Sequence, residues 1–189
     1  MVHLILGGAR SGKSAYAERL AQGCESQGAK VFYIATAQVA KSLPQVETSE
    51  DGSFDSVVDE EMVSRIARHQ ADRPSHWQTV ECPVHLAKTL ADLNDASHCI
   101  LVDCLTLWTL NLIERNDLQT EKEALLTLLK TLEAEVVLVS NEVGLGIIPM
   151  GKLTRNFVDE LGWLHQDVAK LADEVTFVTA GLPMKLKTK

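Results

Sequence analysis

The sequence predicts an α/β fold, a mostly parallel sheet with helices on both faces. Three observations predict it. Short apolar runs at 2–6, 31–35, 99–103, 135–140 and 174–179 have the length and the Val/Ile/Leu content of strands buried on both faces. Segments with apolar residues three and four positions apart alternate with these runs, the order that gives parallel pairing. The first run leads directly into Gly7, Gly8, Ala9, Arg10, Ser11, Gly12, Lys13 and Ser14, and a helical pattern over 15–22 follows.

Those eight residues read G-x-x-x-x-G-K-S, a phosphate-cradling loop, and strand, Gly-rich turn and helix form the context it requires. Glycines allow backbone N–H groups to converge on phosphate oxygens, and the helix N-terminus adds partial positive charge. Lys13 would reach the β- and γ-phosphates, and Ser14 would hold Mg²⁺ through its hydroxyl. The motif specifies a nucleoside triphosphate site, and with the alternating strands and helices the expected fold is a single-domain P-loop NTPase-type, RecA-like sheet over 1–189. It does not specify a reaction: a small-molecule kinase, a sheet-core ATPase and a nucleotide-dependent switch all use it.

Composition narrows the partners. The 189 residues suit one domain with a sizeable core, and 46% are hydrophobic. A formal net charge of −8 disfavours nucleic acid or an anionic membrane held by bulk charge. The cysteines Cys24, Cys82, Cys99 and Cys104 form no C-x-x-C pair, which argues against structural zinc. No stretch reads as a secretion signal or a membrane span, so the expected compartment is the cytoplasm.

Along the chain, the strand at 31–35 ends in Thr36, Ala37 and Gln38, at the carboxyl edge where α/β sheets bind ligands. Residues 38–58 are polar, acidic and unpatterned, and read as a flexible insertion, either a lid or an inert loop. Asp59, Glu60 and Glu61 open a helix that puts Met62, Ile66, His69 and Arg73 on one face, and Pro74 ends it. By spacing alone His69 reads as a surface residue among Arg65, Arg68 and Arg73. A short strand at 77–81 carries Glu81, and a helix covers 85–93. Asp103 closes the run at 99–103, either beside Mg²⁺ or as the cap of the next helix. That helix, 105–113, is apolar apart from its threonines and Asn111. A helix over 121–133, a strand at 135–140, a Gly-punctuated loop at 141–149, a helix over 154–172 and a sixth strand follow. Lys185, Lys187 and Lys189 read as a basic tail.

Taken together, GGARSGKS at 7–14, YIATA at 33–37, DEEMVSRIARHQADRP at 59–74, Trp77 with Glu81, LVDCLTLWTLNLI at 101–113, NEVGLGIIP at 141–149 and RNFVDELGWLHQ at 155–166 resemble one family. It is the bifunctional adenosylcobinamide kinase / adenosylcobinamide-phosphate guanylyltransferases of cobalamin synthesis. The resemblance implies two reactions. ATP or GTP phosphorylates the aminopropanol hydroxyl of adenosylcobinamide. GTP then transfers GMP through a guanylylated histidine, here His69, giving adenosylcobinamide-GDP and pyrophosphate. It further implies nucleotide contacts from Thr36, Ala37, Gln38, Val39, Arg73, Glu81 and Asp103, and a homotrimer. The segment 38–58 is longer than the family pattern, which bears on how the His69 helix approaches the phosphate loop.

Overall fold

The computed structural model describes residues 1–37 and 74–189. Met1–Ala37 and Gln78–Lys189 form one compact unit, and Gln38–Trp77 groups separately. The insertion expected at 38–58 and the helix expected to carry His69 and Arg73 lie outside the described residues.

The strands are β1 (Val2–Gly7), β2 (Lys30–Ala35), β3 (Gln78–Glu81), β4 (His98–Asp103), β5 (Glu135–Asn141), β6 (Glu174–Thr179) and β7 (Leu182–Lys187). They form one sheet in the order β3-β2-β4-β5-β1-β6-β7. Every pairing is parallel except β6 with β7. The helices are α1 (Lys13–Ser26), α2 (Leu86–Asp92), α3 (Leu105–Arg115), α4 (Leu118–Leu128) and α5 (Lys152–Leu171).

Two faces of the sheet are apolar because strand side chains alternate. Val2, Leu4, Leu6, Phe32, Ile34, Ile100, Val102, Val136 and Leu138 share a core with α2, α3, α4 and α5. The intervening Ile5, Val31, Tyr33, Leu101, Val137 and Val139 are also buried. Here α1 lies against the strands, with the small side chains Ala17 and Ala21 buried on its inner side. The doubly covered parallel sheet is the architecture the sequence predicts. The apolar helix at 105–115 belongs to the core, with Leu105, Trp108 and Leu112 fully buried.

Two elements differ from expectation. The helix expected over 121–133 is displaced toward the N-terminus, at Leu118–Leu128. The chain then turns, with Thr131 N donating to Leu128 O. Beyond the turn, Asn94 Oδ1 accepts the N–H groups of Glu133 and Ala134 at 2.8 and 3.1 Å. A side-chain acceptor there replaces the helical carbonyls and leads the chain into β5.

The expected basic tail is strand β7. Ala180 and Gly181 both take positive φ, 51° and 78°, the conformation of a tight two-residue hairpin turn. Pro183 is tolerated because β7 is an edge strand. The lysines are bonded into the fold. Lys187 Nζ donates to the carbonyls of Ala169, Lys170 and Ala172 at 2.9, 3.2 and 2.6 Å, which caps the negative end of α5. Lys185 pairs with Glu174 and Lys189 with Asp173. Replacing Lys187 by Met removes three charge-assisted bonds, so we expect a loss of about 1–2 kcal/mol in a urea unfolding series.

Candidate functional site

The carboxyl ends of the parallel strands gather the predicted site residues along one edge. Gly7 ends β1, Ala35 precedes Thr36 at the end of β2, Glu81 ends β3 and Asp103 ends β4. The register pairs Gly7 with Asn141, Ala35 with both Glu81 and Asp103, and Asp103 with Val139.

The phosphate loop is built as the motif demands. Gly7 is buried, and a Cβ there would run into the carbonyl oxygen of Val178 and lie 2.6 Å from Ser11 Oγ. Arg10 and Gly12 take positive φ, 56° and 93°, and Gly12 is the N-cap of α1. Left-handed residues here form a concavity of backbone N–H groups suited to an anion. Lys13 and Ser14 occupy the first turn of α1. Two hydrogen bonds fix the loop from outside: Glu142 N donates to Gly7 O at 3.0 Å, and Gly181 N donates to Ser11 O at 2.8 Å. The hairpin turn between β6 and β7 thus braces the loop. Ser11 Oγ is buried without a hydrogen-bond partner, and a hydroxyl so placed can donate to a phosphate oxygen.

Asp103 does not cap α3. The N-cap is Cys104, in extended conformation and without a side-chain cap bond. Instead Asp103 Oδ2 accepts from Tyr33 Oη at 2.8 Å. The peptide between Asp103 and Cys104 is cis. Thr36 holds this segment in place. Its hydroxyl donates to Cys104 O at 2.7 Å and accepts from Cys104 N at 2.8 Å, and its own N–H donates to Asp103 O. Asn111 Nδ2 in turn donates to Thr36 O and Pro83 O at 2.9 and 3.0 Å, tying the ends of β2 and β3 together. Burial and the neighbouring Asp103 push the Cys104 thiol up to about 11, with Lys13 pulling the other way. Lys13 and Asp103 therefore act on the same thiol with opposite sign.

Ser14 and Asp103 offer a hydroxyl and a carboxylate, the hard oxygen donors that suit Mg²⁺ delivered with a nucleotide. Among the described residues no group of three or more His, Cys, Asp or Glu could hold a metal by itself. A metal here would take its remaining oxygens from phosphate and water.

The described site residues fall into two groups. Gly7, Gly8, Ala9, Arg10, Ser11, Gly12, Lys13 and Ser14 sit at β1 with Asn141 beside them. Thr36, Ala37 and Glu81 sit at β2 and β3, with Asp103 on β4 between the groups. Glu81 is exposed, four strands from Gly7, or about 19 Å at ordinary strand spacing. Gln38, Val39, His69 and Arg73 lie outside the described residues.

A further cluster has no counterpart in the expected site. Ser140 is fully buried and His165 nearly so. Ser140 Oγ lies 3.1 Å from Thr106 Oγ1 and 2.8 Å from His165 Nε2. His165 Nδ1 faces Glu142 Oε2 at 3.7 Å, and Glu142 Oε1 accepts from Gly144 N at 2.6 Å. Thr106 Oγ1 also accepts from Asn141 N at 2.7 Å. Burial lowers the His165 pKa, against an opposing pull from Glu142. One signal for this cluster was present in the sequence: His165 falls on the apolar stripe of α5, where Leu161, Leu164 and Val168 are buried.

An α/β sheet carrying this loop defines a P-loop nucleoside-triphosphate-utilising protein. Residues 3–186 match the family described as cobinamide kinase / cobinamide phosphate guanyltransferase. The chain belongs to that family and is an enzyme, a transferase. It is 50% identical over 190 residues to the bifunctional adenosylcobalamin biosynthesis protein CobP of Pseudomonas aeruginosa, covering 99% of this chain and 98% of that one. It is 35% identical to CobU of Salmonella typhimurium over 203 residues, covering 99% of this chain and all of that protein. Among solved structures, a KaiC-like protein from Pyrococcus horikoshii matches over 93% of this chain and 69% of its own, with a TM-score of 0.51 at 15% identity. That likeness concerns the fold.

Two outcomes test the site. Gly7→Ala forces the Val178 carbonyl or Ser11 aside, and calorimetric titration should find nucleotide affinity reduced at least about tenfold. His165 supplies a pH test. Its folded pKa lies below the unfolded value near 6.5, so the unfolded chain binds a proton that the folded chain does not. Stability should therefore fall as pH drops through about 6.5 toward the folded value, and thermal melts of His165→Gln should lose that part of the slope.

Proposed function

We propose that this enzyme phosphorylates adenosylcobinamide and then converts the product to adenosylcobinamide-GDP. The observation that carries the reading is the family match across 3–186, in a chain whose phosphate loop is intact from Gly7 to Ser14. In the first reaction the loop binds the β- and γ-phosphates of ATP or GTP, Lys13 offsets charge on the transferring group, and the aminopropanol hydroxyl attacks phosphorus. Ser14 and Asp103 would hold Mg²⁺, which would offset phosphate charge when bound with the nucleotide. In the second reaction His69 attacks the α-phosphorus of GTP, pyrophosphate leaves, and GMP passes from the imidazole to the phosphate of adenosylcobinamide-phosphate. Arg73 offsets phosphate charge beside His69. Thr36, Ala37, Gln38, Val39, Glu81 and Asp103 line the nucleotide site.

A homotrimer is part of the same reading and rests on the family resemblance alone. The cytoplasm is the proposed compartment. Among the described residues no helix is long and apolar enough to cross a membrane.

Incubation with Mg²⁺ and GTP labelled at the α-phosphate tests the second reaction. Wild type should acquire acid-labile, base-stable covalent label, and His69→Ala should acquire none. A wild type that binds GTP yet stays unlabelled would refute transfer through His69. Lys13→Ala should depress both reactions by about a hundredfold or more, since both require the triphosphate to be positioned.

A further inference from the structure

The chain Asn141–Thr106–Ser140–His165–Glu142 has donors and acceptors fixed by its two ends. A backbone N–H can only donate, so Asn141 N donates to Thr106 Oγ1. Glu142 Oε2 faces His165 Nδ1 at 3.7 Å, and a carboxylate can only accept, so this contact favours a proton on Nδ1. Burial keeps the imidazole neutral, so Nε2 carries no proton and accepts from Ser140 Oγ. Ser140 Oγ then accepts from Thr106 Oγ1. Every hydrogen between Asn141 and Glu142 therefore points the same way, toward the carboxylate.

The backbone of the residue that carries this carboxylate stands beside the phosphate loop. The backbone N–H of Glu142 bonds Gly7 O, and the preceding residue pairs with Gly7 in the sheet. Of the four lone-pair positions on the carboxylate, Gly144 N engages one, and His165 Nδ1 faces the other oxygen at 3.7 Å. The others remain able to take a proton. Half-buried Glu142 is still reachable from solvent. Among carboxylates at strand ends, Glu81 lies about 19 Å from Gly7 by strand spacing and Asp103 is engaged by Tyr33.

We infer that Glu142 is the proton acceptor for the substrate hydroxyl in phosphoryl transfer, and that His165 is a positioning residue that holds its carboxylate at the phosphate loop. The assignment rests on the proposed kinase reaction. The hydroxyl O–H bond breaks and its proton moves to Glu142. The freed oxygen forms the bond to the γ-phosphorus, the bond from that phosphorus to the bridging oxygen breaks, and the nucleoside diphosphate leaves with the electron pair. Glu142 returns the proton to water. Guanylyl transfer to a histidine deprotonates no hydroxyl, so Glu142 has no such task there.

That difference provides the test. Full-length wild type, Glu142→Gln, His165→Asn and His165→Phe are assayed for cobinamide phosphorylation, ATP affinity and covalent labelling from α-labelled GTP. Glu142→Gln keeps shape and an acceptor for Gly144 N but loses basicity. It should lower kcat for phosphorylation by about 10²–10⁴, with ATP affinity within about threefold and labelling retained. His165→Phe should lower the same kcat by at least about tenfold, and His165→Asn, which keeps a neutral donor near Nδ1, should recover part of it. Phosphorylation unchanged in Glu142→Gln overturns the assignment. So does an equal fall in phosphorylation, labelling and ATP affinity, which marks a structural role. If wild type is never labelled, guanylyl transfer fails as a reading while a selective loss of phosphorylation still supports Glu142. If wild type phosphorylates no cobinamide, the kinase reading fails and water becomes the acceptor. A Glu142→Gln enzyme that hydrolyses bound ATP as fast as wild type then overturns the assignment.

Discussion

Two backbone hydrogen bonds, Glu142 N to Gly7 O and Gly181 N to Ser11 O, hold the phosphate loop, and the rest of the site depends on them. A loop that presents N–H groups to an anion must resist collapsing onto its own carbonyls. Here two of those carbonyls are already engaged by neighbours on either side. The brace requires a residue without a side chain at Gly7 and a close approach at Gly12, whose Cβ would meet Gly181 Cα at 3.1 Å. Glycines at those positions serve packing as well as conformation.

From this anchored loop the site extends along the sheet edge through layers of committed polar groups. Thr36 and Asn111 are buried, yet their bonds go to the backbone at the strand ends. They fix where Asp103 emerges. Tyr33 then orients its carboxylate. A buried hydrogen bond left half-made costs about 1–3 kcal/mol, so these networks hold the edge in one arrangement. The geometry offered to a nucleotide is set before it binds.

Much of this was legible in sequence. The phosphate loop, the strands and the doubly covered sheet follow from local pattern, because glycine placement and apolar periodicity are short-range signals. Strand β7 was less legible, since three lysines and a proline look like a solvated tail. They form a strand because Lys187 reaches the end of α5, a contact between residues far apart in sequence. Asp103 left two readings open, and Tyr33, 70 positions away, decided against the cap. The Thr106–Ser140–His165–Glu142 cluster comes from α3, β5, α5 and the loop after β5, so no local window contains it. His69 and Arg73 rest on the family resemblance.

The position of β1 has a consequence for how the protein comes to exist on the ribosome. Strand β1 pairs with β5 and β6, and the loop that follows it is braced by Gly181, far downstream in sequence. The nascent loop therefore has neither sheet partner until β5 and β6 have been made, and no brace until Gly181 has. A cradle completed by such distant residues is not available to nucleotide while the segments between them are still being synthesised.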